Sequence, residues 1–157
     1  MMPKQPTPFE PKSQIAALPW RSAGDAVEVL MITSRQSRHW LLPKGWPMKG
    51  KSPSEAAARE AYEEAGIEGT MAEKAVGSYE YDKLQPDGAS IRCRVKVFPM
   101  QVACERDDWK EAAARERRWM DLPTAAELAF EPGLAGLLRT LDANGFLHGV
   151  RQKKTGR

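Results

Sequence analysis

Between Ser52 and Gly66 the chain carries local signals that leave room for little except a helix. Ser52 is a natural N-cap, Pro53 fits the first helical position, and Glu55 is spaced to close a capping box. The run AAAREAYEEA that follows consists of strong helix formers, and Gly66 supplies a C-terminal stop. Ala57, Ala61 and Ala65 recur every fourth residue, a small-residue stripe that lets the helix lie close to its neighbour. Glu60, Glu63 and Glu64 share another face, because residues three and four apart are surface neighbours on a helix. Carboxylates crowded in this way repel unless a cation sits among them, and a divalent ion with oxygen ligands suits them. A solvated acidic surface, with Glu55 pairing to Arg59, is the competing account.

The rest of the chain must supply something for that helix to pack on. A length of 157 residues suits one domain with a single core. No run of about 18 apolar residues occurs, so a spanning helix is not expected. The first residues, MMPKQPTPFEPKSQ, lack the apolar core of a secretory signal. Cys93 and Cys104 have no Cys or His partner at zinc-ligand spacing and read as reduced, partly buried thiols of a cytoplasmic protein. The net charge of +3 is mild, but cations cluster at Arg35/Arg38, Lys44/Lys49/Lys51, Arg92/Arg94/Lys96, Arg115/Arg117/Arg118 and along the tail to Arg157. Such clusters around one acidic helix suit a phosphate-bearing ligand.

In chain order, residues 1–13 are rich in proline and polar side chains and are expected to be disordered. A single domain then runs over 14–144, followed by a basic tail at 145–157. Gln14 to Leu18 reads as a strand halted by Pro19, with a turn over Ser22–Asp25. Val27–Thr33 is the clearest early strand, and His39–Leu42 is a short one. Lys44–Lys51 reads as a loop. Met71–Leu84 is a strand pair or one long bent strand, and QPDGA at 85–89 is a turn. From Ser90 to Ala103, Ile91, Cys93, Val95 and Val97 alternate with Arg92, Arg94 and Lys96. That cationic row borders either a phosphate site or solvent. Arg106–Arg118 could be loop or helix, Trp119–Leu122 is a final strand, and Pro123–Ala129 and Pro132–Asn144 are helices. The order β–β–β–α–β–β–β–α–α indicates an α+β protein, an α/β/α sandwich around a mixed sheet.

Other chemistries lack their residues. His39 and His148, the two histidines, sit in no nucleophile constellation, and neither a GxxxxGK[ST] nor a GxGxxG loop is present. Trp40 and Trp119 are expected in or near the core, whereas Trp46 could stack on a base or cap the site.

Gly45, Arg59-Glu60, Ala61, Glu63-Glu64, Gly66 and Ile67 together resemble the signature of the Nudix hydrolase superfamily. That signature places a Gly, an isolated Glu, Arg-Glu, an apolar residue, Glu-Glu, Gly and an apolar residue at fixed spacings. Ala61 is a small stand-in for a bulkier apolar residue, and Lys51 occupies the position of the isolated Glu. The PKG before the helix and the late Trp119 followed by an Ala-containing helix extend the resemblance over about residues 14 to 142. The resemblance implies the sandwich fold, with the signature as loop–helix–loop.

It also implies a hydrolase that cleaves a phosphoanhydride with Mg²⁺ or Mn²⁺. Glu60 and Glu64 would be metal ligands, Glu63 a further or water-mediated one, with the backbone at Lys44 and Gly45 close by. Arg59 would orient a helix carboxylate. The base would be Glu64 or Glu60, or a residue outside the signature, for which Glu111 and Glu116 are the candidates. Arg35, Lys44, Lys49, Lys51, Arg92 and Arg94 are the candidate substrate contacts. Lys51 either removes an outer ligand or signals a very anionic substrate. The loop and tryptophans resemble the branch acting on diphosphoinositol and dinucleoside polyphosphates. The expected partner is thus a small polyphosphate, with no nucleic acid or membrane and a monomeric or homodimeric protein. A non-catalytic module that binds nucleotide or RNA is the alternative.

Overall fold

The computed structural model describes residues 10–145. Of the stretch 1–13 expected to be disordered, residues 1–9 lie outside the described residues while Lys12 and Ser13 belong to the first strand, and the basic tail expected over 145–157 lies outside them from residue 146. The strands are β1 (Lys12–Ala23), β2 (Ala26–Thr33), β3 (Trp40–Leu41), β4 (Lys44–Gly45), β5 (Ile67–Met71), β6 (Gly77–Leu84), β7 (Ser90–Glu105) and β8 (Arg117–Asp121). The helices are α1 (Pro53–Ala65), α2 (Leu122–Leu128) and α3 (Pro132–Asn144). All eight strands join one sheet, which runs β3-β2-β1-β7-β5, with β4 on β1, β6 on β7 and β8 on β2. The β1–β7 pair is parallel and the others antiparallel, so the sheet is mixed.

Both faces of this sheet are covered. Ile15, Ala17, Leu30, Ile32, Phe98 and Met100 pack with Ala56, Ala57, Ala61 and Ala65 of α1. Ala16, Leu18, Trp20, Val29, Met31, Val95 and Val97 pack with Leu122, Ala125, Leu134, Leu138 and Leu141 of α2 and α3. Successive residues of β1 thus feed opposite layers, which makes its middle buried without a break. The result is the expected α+β sandwich of three layers. Each alanine of the α1 stripe is fully buried, the close approach that small side chains permit. No helix among the described residues is long and apolar enough to cross a membrane.

The α1 signals act as read. Ser52 and Glu55 form the reciprocal capping box, and Gly66 closes the helix at φ 67°, a left-handed conformation that costs glycine little. Several boundaries differ from expectation. Pro19 does not halt β1, which runs from Lys12 through it to Ala23. On β1, β4 pairs at Ile15 and Ala16 and β2 takes over from Trp20, so Pro19 falls in the gap where no N–H is needed. The stretch after Pro43 is not wholly a loop, since Lys44 and Gly45 form β4 against Ala16 and Ile15. A separate strand, β5, precedes the β6–β7 hairpin. Residues 106–116 form bends and turns rather than a helix. Cys93 is a buried free thiol, but Cys104 is exposed.

Candidate active site

The glutamates of α1 do not all go the same way. Glu60 and Glu64 hydrogen-bond to each other at the helix edge facing β4. Glu63 turns outward instead, to Arg59 Nε at 2.6 Å and Lys110 Nζ at 3.7 Å. The helix carboxylate that Arg59 contacts is thus Glu63. Glu64 is 9 % exposed and takes a 3.3 Å hydrogen bond from the Lys44 amide. A Cβ on Gly45 would occupy the space of the Glu60 carboxylate, so only glycine lets that group reach the β4 backbone.

Burial is the main reason the Glu64 carboxyl is pushed up to about 8. Arg115 opposes the rise, and Glu60 adds to it. Burial likewise raises Glu60, against the stabilising hydrogen bond from Glu64. Both shifts favour the protonated form, as expected of two carboxylates set side by side with too little positive charge. Oxygen donors, a shortage of positive charge and a backbone left bare at Gly45 all fit a hard divalent ion. Glu60, Glu64 and the Gly45 carbonyl are the groups available to it. Among the described residues no cluster of three or more His, Cys, Asp or Glu stands ready-made for a metal. The salt bridge from Arg59 is what keeps Glu63 out of such a cluster.

The segment between β7 and β8 closes the C-terminal end of α1. The Trp109 ring covers Gly66, where a Cβ would strike it, and its indole N–H donates to the Glu64 carbonyl at 3.0 Å. Arg117 stacks on the Trp109 ring at 4.0 Å and donates to the Ala65 carbonyl at 2.7 Å. The helix has no basic residue in its own last turn, so a cation from β8 serves its negative end. The Glu111 amide donates to the Glu63 carbonyl at 3.2 Å. Arg115 then links three elements, donating to Glu111 Oε1 at 2.7 Å and the Thr33 carbonyl at 3.0 Å while lying 3.9 Å from Glu64 Oε2.

The acidic pair opens into a cleft of about 1150 Å³ whose lining includes Arg35, Lys44, Gly45, Trp46, Glu60, Glu64, Tyr81, Lys83 and Arg115. Of the candidate substrate contacts, this brings in Arg35 and Lys44 only. Lys49 does not line it, and Lys51 faces a separate depression of about 400 Å³ between α1 and β5. The departure at Lys51 consequently lies away from the acidic pair, next to Glu55. Arg92 and Arg94 are tied across the β6–β7 hairpin to Glu80 and Asp82, and with Lys96 they form an exposed face. Glu116 is exposed and pairs with Arg118, whereas Glu111 lies near enough to bear on both Glu60 and Glu64. Lys83 belongs to no cationic cluster of the sequence, and Arg115 stands in one without being marked out from Arg117 and Arg118. Only the four-residue spacing of Glu111 and Arg115 hinted at the latter.

A model of the NUDIX domain matches residues 11–141. The chain is similar to Nudix hydrolase 12, mitochondrial, of Arabidopsis thaliana, 36% identical over 105 residues that cover 65% of this chain and 52% of that protein. It is also similar to diphosphoinositol polyphosphate phosphohydrolase 3-alpha of Mus musculus, 28% identical over 131 residues, 80% of this chain and 76% of that one. The chain thus spans about half the length of the plant relative. Among solved structures, a C. elegans Ap4A hydrolase binary complex shares the fold with a TM-score of 0.66 at 24% identity, over 88% of this chain and 98% of that one. With the signature helix, its cleft and the three-layer sheet in their places, the chain belongs to the NUDIX domain family.

Proposed function

We propose that this protein is a divalent-metal-dependent pyrophosphohydrolase that splits a phosphoanhydride in a nucleoside-diphosphate-linked or diphosphoinositol-type substrate. The observation that carries the reading is the buried Glu64 beside the half-buried Glu60, the latter pressed against the bare backbone of Gly45 in a cationic cleft. The names of the similar plant and mouse hydrolases support it.

Glu60, Glu64 and the Gly45 carbonyl would hold the ion, Mg²⁺ or Mn²⁺. Bound there, it supplies concentrated positive charge that offsets the negative charge on the phosphate oxygens during displacement. Arg35, Lys44 and Lys83 line the cleft and would meet the remaining phosphate charge. Glu111 is the better placed of the two outside candidates to accept the proton of the attacking water. Arg115 holds its carboxylate in a fixed direction, with the Glu111 side chain 18% exposed, whereas Glu116 points to Arg118. Arg59 keeps Glu63 at the rim, within reach of a water-mediated role. Trp46 and Leu84, exposed and both lining the cleft, offer an apolar surface to a base or sugar ring.

The test is hydrolysis of a panel of dinucleoside polyphosphates, sugar nucleotides and pyrophosphorylated inositols with Mg²⁺ or Mn²⁺. Turnover should require the metal, and Glu64→Gln should lower kcat roughly a thousandfold, the scale expected when a ligand carboxylate is lost. An absence of metal-dependent turnover on every compound, or undiminished rates in Glu64→Gln, rules the reading out. Ligand binding that survives EDTA without turnover would favour the binding-module alternative.

A further inference from the structure

A second buried carboxylate lies across the cleft floor and has no part in the reaction above. Glu131 is 6 % exposed and occupies the N-cap position of α3, yet its side chain makes no capping hydrogen bond. Gly133 brings that end of the helix hard onto β6, since a Cβ there would strike the Glu80 carbonyl and the Tyr79 side chain. Glu131 is thereby turned toward the sheet, where Oε2 lies 3.5 Å from Lys44 Nζ. Its other oxygen and the Tyr79 hydroxyl are buried beside each other, and neither has a further hydrogen-bond partner among the described residues. Burial, then the charge of Glu131, raises the Tyr79 phenol well above its usual value. A carboxylate buried this deeply is costly to keep, and its one ion pair is to Lys44.

What it holds is the cation whose own backbone amide already binds Glu64. The Lys44 ammonium rests between Glu131 and the face of Tyr81, 4.7 Å from the ring centroid. That ring is itself pinned, its hydroxyl donating to Gln14 Oε1 at 2.6 Å. The Lys44 side chain is only 11% exposed in this slot. Its own amide, however, is already hydrogen-bonded to Glu64 Oε1 at 3.3 Å. A lysine stem reaches about 6 Å, so the ammonium could turn to Glu64 if nothing restrained it.

We propose that Glu131 is a positioning residue that parks the Lys44 ammonium against Tyr81 and so keeps this internal cation off Glu60 and Glu64, leaving them free for a divalent ion. The inference rests on reading that pair as metal ligands. With the slot intact, Lys44 lines the cleft as a fixed positive charge and does not compete for the carboxylates. Without the negative charge at 131, the Lys44 ammonium is free to turn toward the carboxylate that already takes its amide.

The test measures Mn²⁺ binding to the protein without substrate, by electron paramagnetic resonance of free Mn²⁺. Glu131→Gln keeps size and shape, and should raise the Mn²⁺ Kd about tenfold, a coupling typical of contacting residues. Adding Lys44→Met to Glu131→Gln should bring the Kd back to that of Lys44→Met alone. A merely structural Glu131 would not be rescued by removing the lysine. Thermal melting of each variant identifies one that fails to fold. In that event Glu131→Met with Lys44→Met, which replaces the whole pair by apolar groups, must bind Mn²⁺ as tightly as Lys44→Met. Unchanged affinity in Glu131→Gln, or a loss that persists in the double variant, overturns the proposal while leaving the function reading intact. A parent protein that binds no Mn²⁺ overturns both.

Discussion

Glu64 concentrates the physical conflict in this protein, because a carboxylate that burial disfavours is held where only a cation would make it comfortable. In the metal-free protein its carboxyl is raised from 4.5 to about 8. A raised folded-state value means the native state keeps a proton that the unfolded chain has released. The associated stability is present in full below pH 4.5 and is lost as pH climbs through about 8. Thermal melts in EDTA should therefore fall across that window, and Glu64→Gln should flatten the fall. Affinity for Mn²⁺ should rise with pH over the same range, since the ion must displace the proton that a raised Glu64 carboxyl retains. Gly45 governs the other half of the pair. The group its Cβ would meet is the mobile end of Glu60, and its backbone needs no positive φ. Gly45→Ala should thus change stability by no more than about 1 kcal/mol, yet weaken Mn²⁺ binding tenfold or more, roughly, as Glu60 swings aside. Calorimetry on one sample checks both.

The helix α1 works as a presentation device whose two ends are secured differently. Its start is local, the Ser52–Glu55 capping box. Its end is assembled from distant residues, with Trp109 over Gly66 and Arg117 on the Ala65 carbonyl. Gly66→Ala would force a side chain into the left-handed region and into the Trp109 ring together. The first effect alone costs about 1–2 kcal/mol, so the total loss in urea denaturation should exceed that. Activity should fall further than stability explains, because the displaced Trp109 belongs to the segment that carries Glu111 and Arg115.

The cleft draws on both sides of the sheet, with Glu60 and Glu64 of α1 in its wall and Glu131 at the start of α3 reaching Lys44 from behind it. An ion that binds this assembled site and not the unfolded chain must stabilise the whole molecule. At a hundredfold excess over Kd that stabilisation is about 2.7 kcal/mol. Urea midpoints should therefore rise with Mn²⁺ and return with EDTA, and in Glu64→Gln they should barely move. A rise of equal size in that variant would place the ion elsewhere.

Much of this was readable from residues within one or two helical turns of each other. The limits of α1, the alternation in β7 and the apolar stripe of α3 are local patterns, because helix and strand periods and caps act over a few residues. The three glutamates were equally plain as a cluster, but not that Arg59 would draw Glu63 away from the other two. The passage of β1 through Pro19, and the existence of β4, depend on which neighbour pairs where along β1. Arg115 and Glu131 looked like ordinary charges until the fold brought them to Glu64 and Lys44. Spacing along a chain dictates which side chains share a face; which charges lose their water, and to which partner they then turn, follows only once distant segments pack together.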